Sequence, residues 1–164
     1  MIKLNIFELD PYDNSQLEKI KVFEEENECT DKPSEIIMET RNNISKEEYY
    51  DSNNNELDRI LITEKNNKIT DCCYISGEKD IKQCKITPIT TGNKRRETSL
   101  LATDYALKTL GMEEVFIPIP KGDDSMINYL ELRGYENLGE IDGNIILLKE
   151  EPEKENSQRM ISWI

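Results

Sequence analysis

The sequence predicts an α/β domain on a mixed sheet: an antiparallel meander joined to one parallel crossover, with helices on both faces. Two patterns and one connection carry that expectation. Short apolar or alternating runs extend from Leu57 to Thr90 with turn signals between them, the signature of consecutive antiparallel strands. The run MEEVFIPIP, residues 112–120, is short and apolar enough for a strand buried in a parallel pair. Between them lies an amphipathic stretch ending at Gly111, which makes strand, helix, strand the natural reading.

The elements follow in order. IKLNIFELD opens the chain as a strand. Residues 15–26 offer Leu17, Ile20, Val22 and Phe23 at roughly helical spacing, with Asn14 or Ser15 as cap. A second helix is expected over 33–50, with Pro33 in its first turn and Ile36, Ile37 and Ile44 toward the core. Two strands meet at Asn66-Asn67, residues that tolerate the backbone of a tight hairpin, and a third follows a turn at 77–80. In TGNKRRETSLLATDYALKTLG, residues 91–111, Leu100, Ala106, Leu107 and Leu110 form an apolar face. SMINYLELRG gives a last helix ending at Gly134, and a closing hairpin turns at Asp142-Gly143.

One domain is expected over 1–150 and a tail over 151–164. The tail ends in RMISWI, whose Met160, Ile161, Trp163 and Ile164 are expected to dock on the domain or on a partner, a homodimer included. With 36% hydrophobic residues, the segments 46–57 and 150–159 read as loops or frayed ends.

Composition excludes several functions. With 34 acidic and 21 basic residues the net charge is -13, which argues against nucleic acid and anionic membranes; the surplus acid either attracts a cationic partner or only keeps the protein soluble. There is no histidine, so Ser-His and Cys-His catalysis and imidazole metal sites are removed together, and no metal is expected. The four cysteines contain no CxxC pair; reduced thiols and a cytoplasmic location are expected, with Cys72 and Cys73 on opposite faces of a strand. No apolar run reaches about 18 residues and no secretory leader opens the sequence, so neither a membrane span nor export is expected.

Against that acidity, Lys94, Arg95 and Arg96 stand together where a helix should start. A helix N-terminus carries partial positive charge and disfavours each such cation by roughly 0.3–1 kcal/mol. Either an anion sits there or the run is a solvated helix start with Thr91 or Asn93 as caps.

ITPIT leading into TGNKRRETSLL, then YALKTLGMEEVFI, then MINYLELRGYENLGE resembles, in order and spacing, the GCN5-related N-acetyltransferases. The likeness is strongest over 81–148. The resemblance implies the acyl-CoA N-acyltransferase fold, acetyl-CoA as co-substrate, and acetyl transfer to a small-molecule or peptide amine by direct attack. It implies cofactor contacts at Ile86, Thr87, Gly92, Asn93, Lys94, Arg95, Arg96 and Thr98. The family's Q/R-x-x-G-x-G/A turn is absent: one register puts Lys94 and Arg96 at the glycine positions, the other Arg95 and Glu97. The resemblance also implies a tyrosine four residues before the last helix's glycine, where Leu130 stands. Tyr129 is its neighbour, the candidate acid for the departing thiolate or else a packing tyrosine, and Tyr135 reads as core. No acid lies on IKQCKITPIT to serve as base, and Cys84 reads as a small core residue. Glu24, Glu25, Glu26 and Glu47 either line an acceptor site or form a solvated face. A catalytically degenerate ligand-binding, regulatory or interaction protein on the same scaffold is the alternative.

Overall fold

The computed structural model describes residues 5–90 and 94–151. Its order is β1 (Asn5–Glu8), α1 (Asn14–Glu26), α2 (Pro33–Asn43), α3 (Lys46–Tyr49), β2 (Glu56–Lys65), β3 (Lys68–Glu78) and β4 (Gln83–Pro88). Then come α4 (Lys94–Lys108), β5 (Glu114–Pro120), α5 (Asp124–Glu131), β6 (Glu136–Ile141) and β7 (Asn144–Glu150). Seven strands form one mixed sheet in the order β1-β2-β3-β4-β5-β7-β6, with β4 and β5 parallel and the other neighbours antiparallel.

Turn chemistry sets the hairpins. Asn66 and Asn67 have φ of 53° and 62°, and Asp142 and Gly143 have 51° and 83°, the left-handed pairs that match the twist of two-residue hairpins. The sheet buries both faces. Leu61, Cys73, Ile75, Ile86 and Ile117 pack with Ala102 and Ala106 of α4 and Met126 and Leu130 of α5. On the other face Ile60, Ile62 and Cys72 pack with Leu17, Ile20 and Phe23 of α1 and Ile37 of α2. Cys72 and Cys73 therefore do serve opposite cores, as a two-residue period requires.

Three local expectations change. The cap of α1 is Asp13, whose carboxylate accepts from Ser15 N at 2.9 Å and Gln16 N at 3.4 Å. Val22 is 51% exposed, because it lies about 200° around the helix from Ile20. The single helix expected over 33–50 is two. Ile44 is extended, and Ser45 starts a new turn by accepting from Glu48 N at 3.2 Å, the Ser-x-x-Glu capping pattern. Part of the segment expected to be loop, residues 46–49, is thus helical. The tail's RMISWI and most of 150–159 lie outside the described residues.

Gly77 marks a close approach between β3 and β4: a Cβ there stands 2.2 Å from the Gln83 carbonyl oxygen and 2.7 Å from Cys84 Cα. Backbone cannot retreat as a side chain can, so Gly77→Ala is expected to cost about 1–3 kcal/mol. Thermal denaturation should show a fall of several degrees; an unchanged midpoint would mean that the strands move apart freely.

Candidate active site

The site begins with the parallel pair. β4 and β5 are in register only at Gln83↔Glu114, Cys84↔Val115 and Lys85↔Phe116. Beyond Lys85 the strands part, while β4 stays paired to β3 through Ile86↔Ile75 and Thr87↔Tyr74. The β5-facing edge of Ile86 and Thr87 is thereby open, a row of backbone groups of the kind that takes an extended amide ligand. Ile86 is fully buried, so only its backbone is available; Thr87 is half-buried.

The end of that edge is anchored from β3. A register shift between Thr63 and Glu64 leaves Thr70 as an extra residue, so Ile69 packs against the α1–α2 face while Asp71 points to α4. Asp71 is 2% exposed. One carboxylate oxygen accepts from Cys72 N at 2.8 Å and from Thr90 Oγ1 at 2.5 Å, and the other accepts from Thr98 Oγ1 at 2.6 Å. Three donors, two of them hydroxyls, offset the desolvation of a buried charge that would otherwise cost several kcal/mol.

Here is negative charge at the start of α4. A second acid lies beside it: Arg95 forms an ion pair with Asp123, the residue that caps α5 by accepting from Met126 N at 3.3 Å. Arg96 donates to Ser125 Oγ, and its guanidinium lies 5.4 Å from the centre of the Tyr129 ring. Arg96 meets no carboxylate among the described residues. Gly92, Asn93 and the Lys94 side chain lie outside the described residues, as does Thr91. Thr98 gives its hydroxyl to Asp71.

On α5 the inward position belongs to Leu130, which is fully buried, and Tyr129 turns aside. Its ring carries the Arg133 guanidinium at 3.5 Å from the centroid and Arg96 on the α4 side. Tyr135 is core, with its hydroxyl donating to Thr103 Oγ1 at 2.7 Å. Burial pushes the Cys84 thiol up to about 12, a neutral small residue in the core.

The opposite face holds what sequence reading missed, an acidic groove of 760 Å³ between α2, α3 and the sheet. Glu35 and Glu39 stand on one stripe of α2; Glu48, Asp51, Glu56 and Asp58 form the other wall. Tyr49 and Tyr74 add aromatic surface. Of the two lining cations, Lys32 and Arg59, Arg59 is paired with Glu8 at 2.7 Å and lies 4.5 Å from the centre of Tyr49. One oxygen of Asp58 is buried without a hydrogen bond. Burial first, then its bond to Asp58, raises the Tyr74 phenol above its ordinary range. The acids first considered lie elsewhere. Glu24 holds the start of α2 by accepting from Ser34 N and Ser34 Oγ, the latter at 2.8 Å, Glu26 pairs with Lys68 at 2.9 Å, and Glu25 and Glu47 are exposed and outside the lining. The i, i+4 spacing of Glu35 and Glu39 was the available signal.

Groove and strand edge are neighbours. Tyr74, in the groove, pairs across the sheet with Thr87, two residues beyond the last β4–β5 partner. Adjacent strands lie about 4.8 Å apart. Among the described residues no group of acids, cysteines or histidines is placed to hold a metal, and no helix is long and apolar enough to cross a membrane.

This sheet order, with its parted parallel strands and helix pairs on both faces, is the GCN5-related N-acetyltransferase fold. Solved structures agree. The spermidine/spermine N-acetyltransferase SpeG from Vibrio cholerae is 12% identical, with a TM-score of 0.63, over 94% of this chain and 98% of that one. The N-acetyltransferase PseH from Campylobacter jejuni is 14% identical, with a TM-score of 0.58, over 92% and 98%. The PaiA N-acetyltransferase from Thermoplasma acidophilum, solved in complex with coenzyme A, is 16% identical, with a TM-score of 0.55, over 91% and 99%. No family model matches the sequence, and no curated relative matches it. The likeness is therefore one of fold.

Burial, partly offset by the bond to Thr103, pushes the Tyr135 phenol from 10.0 up to about 12. The folded chain holds this proton where the unfolded chain releases it, so its stabilising contribution is complete below pH 10 and is lost as pH rises toward 12. Urea denaturation of Tyr135→Phe across that window should show a shallower decline than the parent. At neutral pH the variant should lose about 1 kcal/mol with the hydrogen bond.

Proposed function

We propose that this chain is an N-acetyltransferase that moves acetyl from acetyl-CoA to a primary amine of a cationic small molecule or peptide. The observation that carries the reading is the adjacency of the open β4 edge to the acidic groove, a strand's width away on the face covered by α2. The residues present fit acetyl-CoA: the edge at Ile86 and Thr87 suits an extended amide chain, and the α4 start offers N–H groups and Arg96 to phosphate. Acetyl-CoA would supply the activated acyl group.

The chain's own residues then divide the work. Glu35, Glu39 and Asp51 attract and orient the cation, and Tyr49 and Tyr74 give its methylenes and ammonium groups an aromatic wall. Asp58, with its unpartnered oxygen, is the groove's strand carboxylate closest along the ladder to Thr87, and it takes the proton that the amine must lose to attack. Tyr129 holds Arg96 through its ring; its contacts support this role better than proton donation to the thiolate. The second reading, a ligand-binding protein without turnover, draws on Leu130 standing where the hydroxyl is expected.

Isothermal titration with acetyl-CoA should give saturable binding, and acetyl release should be fastest with diamines or polyamines; no heat and no thermal shift at millimolar ligand would end the proposal. Neutralising Glu35 and Glu39 together as glutamines should raise KM for a polyamine about two- to thirtyfold, given roughly 0.2–1 kcal/mol per partly exposed charge pair. It should leave KM for acetyl-CoA unchanged. Turnover absent with every amine, with acetyl-CoA still bound, would select the second reading.

Tyr129→Phe keeps the ring and removes the hydroxyl. Its kcat should stay within about twofold of the parent, whereas loss of a general acid would lower it by about 10²-fold or more.

A further inference from the structure

We propose that Glu8 is a positioning residue for the amine site: it holds Arg59 at the rim of the acidic groove and so keeps that guanidinium from neutralising the acids that receive the substrate cation. The inference rests on the reading of the groove as the place where the amine binds. Lys32, the other cation in the lining, is exposed, whereas the Arg59 side chain is only 13% exposed. Arg59 is therefore the cation that could close the groove from within.

The placement of Arg59 follows from the strand order. β1 pairs with β2 only as far as Glu8↔Leu61, so the outer edge of β2 at Arg59 has no strand beside it. Alternation along β2 puts Arg59 on the side of Leu57 and Leu61, the side covered by α4. Its guanidinium nevertheless reaches the groove wall, 4.5 Å from the centre of the Tyr49 ring. Two oxygens hold it there: Nε lies 2.7 Å from Glu8 Oε1, and Nη1 donates to the Asp58 carbonyl at 2.9 Å. Glu8 is fixed in turn, because its second oxygen accepts from the Tyr105 hydroxyl of α4 at 2.7 Å. One carboxylate thus ties the arginine to the central helix.

Without the Glu8 charge, a guanidinium this sheltered needs another anion. Asp58, its neighbour along β2, offers a buried oxygen without a hydrogen bond, and a new pair there would take a carboxylate from the amine. Loss of any negative charge near the groove also weakens cation binding through space. The two effects separate in a double-mutant cycle, because the through-space effect of Glu8 persists when Arg59 is absent and the positioning effect does not. Arg59→Met serves that purpose, keeping an apolar stem against Tyr49.

The test is isothermal titration of 1,4-diaminobutane against the parent, Glu8→Gln, Arg59→Met and the double variant, with coenzyme A titrated into the same preparations. Glu8→Gln should weaken diamine binding about tenfold in the parent and less than about twofold in the Arg59→Met background, with coenzyme A affinity unchanged throughout. If Glu8→Gln does not fold, Tyr105→Phe loosens the carboxylate while keeping its charge, and it should weaken diamine binding about two- to threefold only where Arg59 is present. Equal losses in both backgrounds overturn the positioning role and leave the amine reading intact. Coenzyme A affinity that falls in parallel marks a general loosening and overturns it too. A parent protein that binds no diamine, with or without coenzyme A, overturns both.

Discussion

The junction between sheet and central helix depends on one buried carboxylate. Asp71 brings a negative charge into the interior at the point where β3, the segment after β4 and the first turns of α4 meet, and its three hydrogen bonds come one from each. Removing any donor would leave part of that charge unsatisfied, which makes the junction stiff. It also accounts in part for the basic run. A helix start that carries its own partial positive charge tolerates added cations when acids stand under and beside it, as Asp71 and Asp123 do. The cations at the α4 start and the acids around it are one arrangement.

Charge is otherwise segregated by face. The groove bounded by α2, α3 and β2 gathers seven of the chain's acids against Lys32 and an Arg59 already paired with Glu8. On the other face, Arg95, Arg96 and Arg133 cluster around α5 and Tyr129. A net charge of -13 is thus compatible with a local cationic site, because screening over about 8–10 Å lets each face present its own field. Between the two faces the sheet is opened where β4 and β5 separate. A molecule with a polyanionic end and an acyl end, and a second molecule that is cationic, would each meet complementary charge on its own side.

What could be read from sequence was what is local. Both hairpins were legible because Asn66-Asn67 and Asp142-Gly143 adopt the positive φ that their chemistry allows. The crossover was legible because Gly111 ends α4 with φ of 72° and the following strand is apolar after its first residue, Glu114. The break between α2 and α3 was written in Ser45 and Glu48, but Ile44 continued the helical spacing and hid it. Asp71 was illegible for a stronger reason: the extra residue at Thr70 breaks the two-residue period, so facing cannot be counted along β3. The groove was illegible because its walls come from a helix, a one-turn helix, loops and two strands, and only folding brings Glu39 opposite Asp58.

The displacement of the expected tyrosine by one position follows from the same charges. The apolar stripe Met126, Ile127 and Leu130 fixes which side of α5 faces the core, and Asp123 fixes where the helix begins. Asp123 is held in turn by Arg95, and Ser125 by Arg96. Rotating α5 by the roughly 100° needed to bring Tyr129 inward would expose Leu130, break the Arg95 pair and pull the ring away from the Arg96 guanidinium. Arg95 and Arg96 therefore lock the helix in the orientation that leaves the inner position without a hydroxyl. Arg95 serves that lock. Arg96 is bonded to a neutral hydroxyl and faces an aromatic ring, and it meets no carboxylate among the described residues.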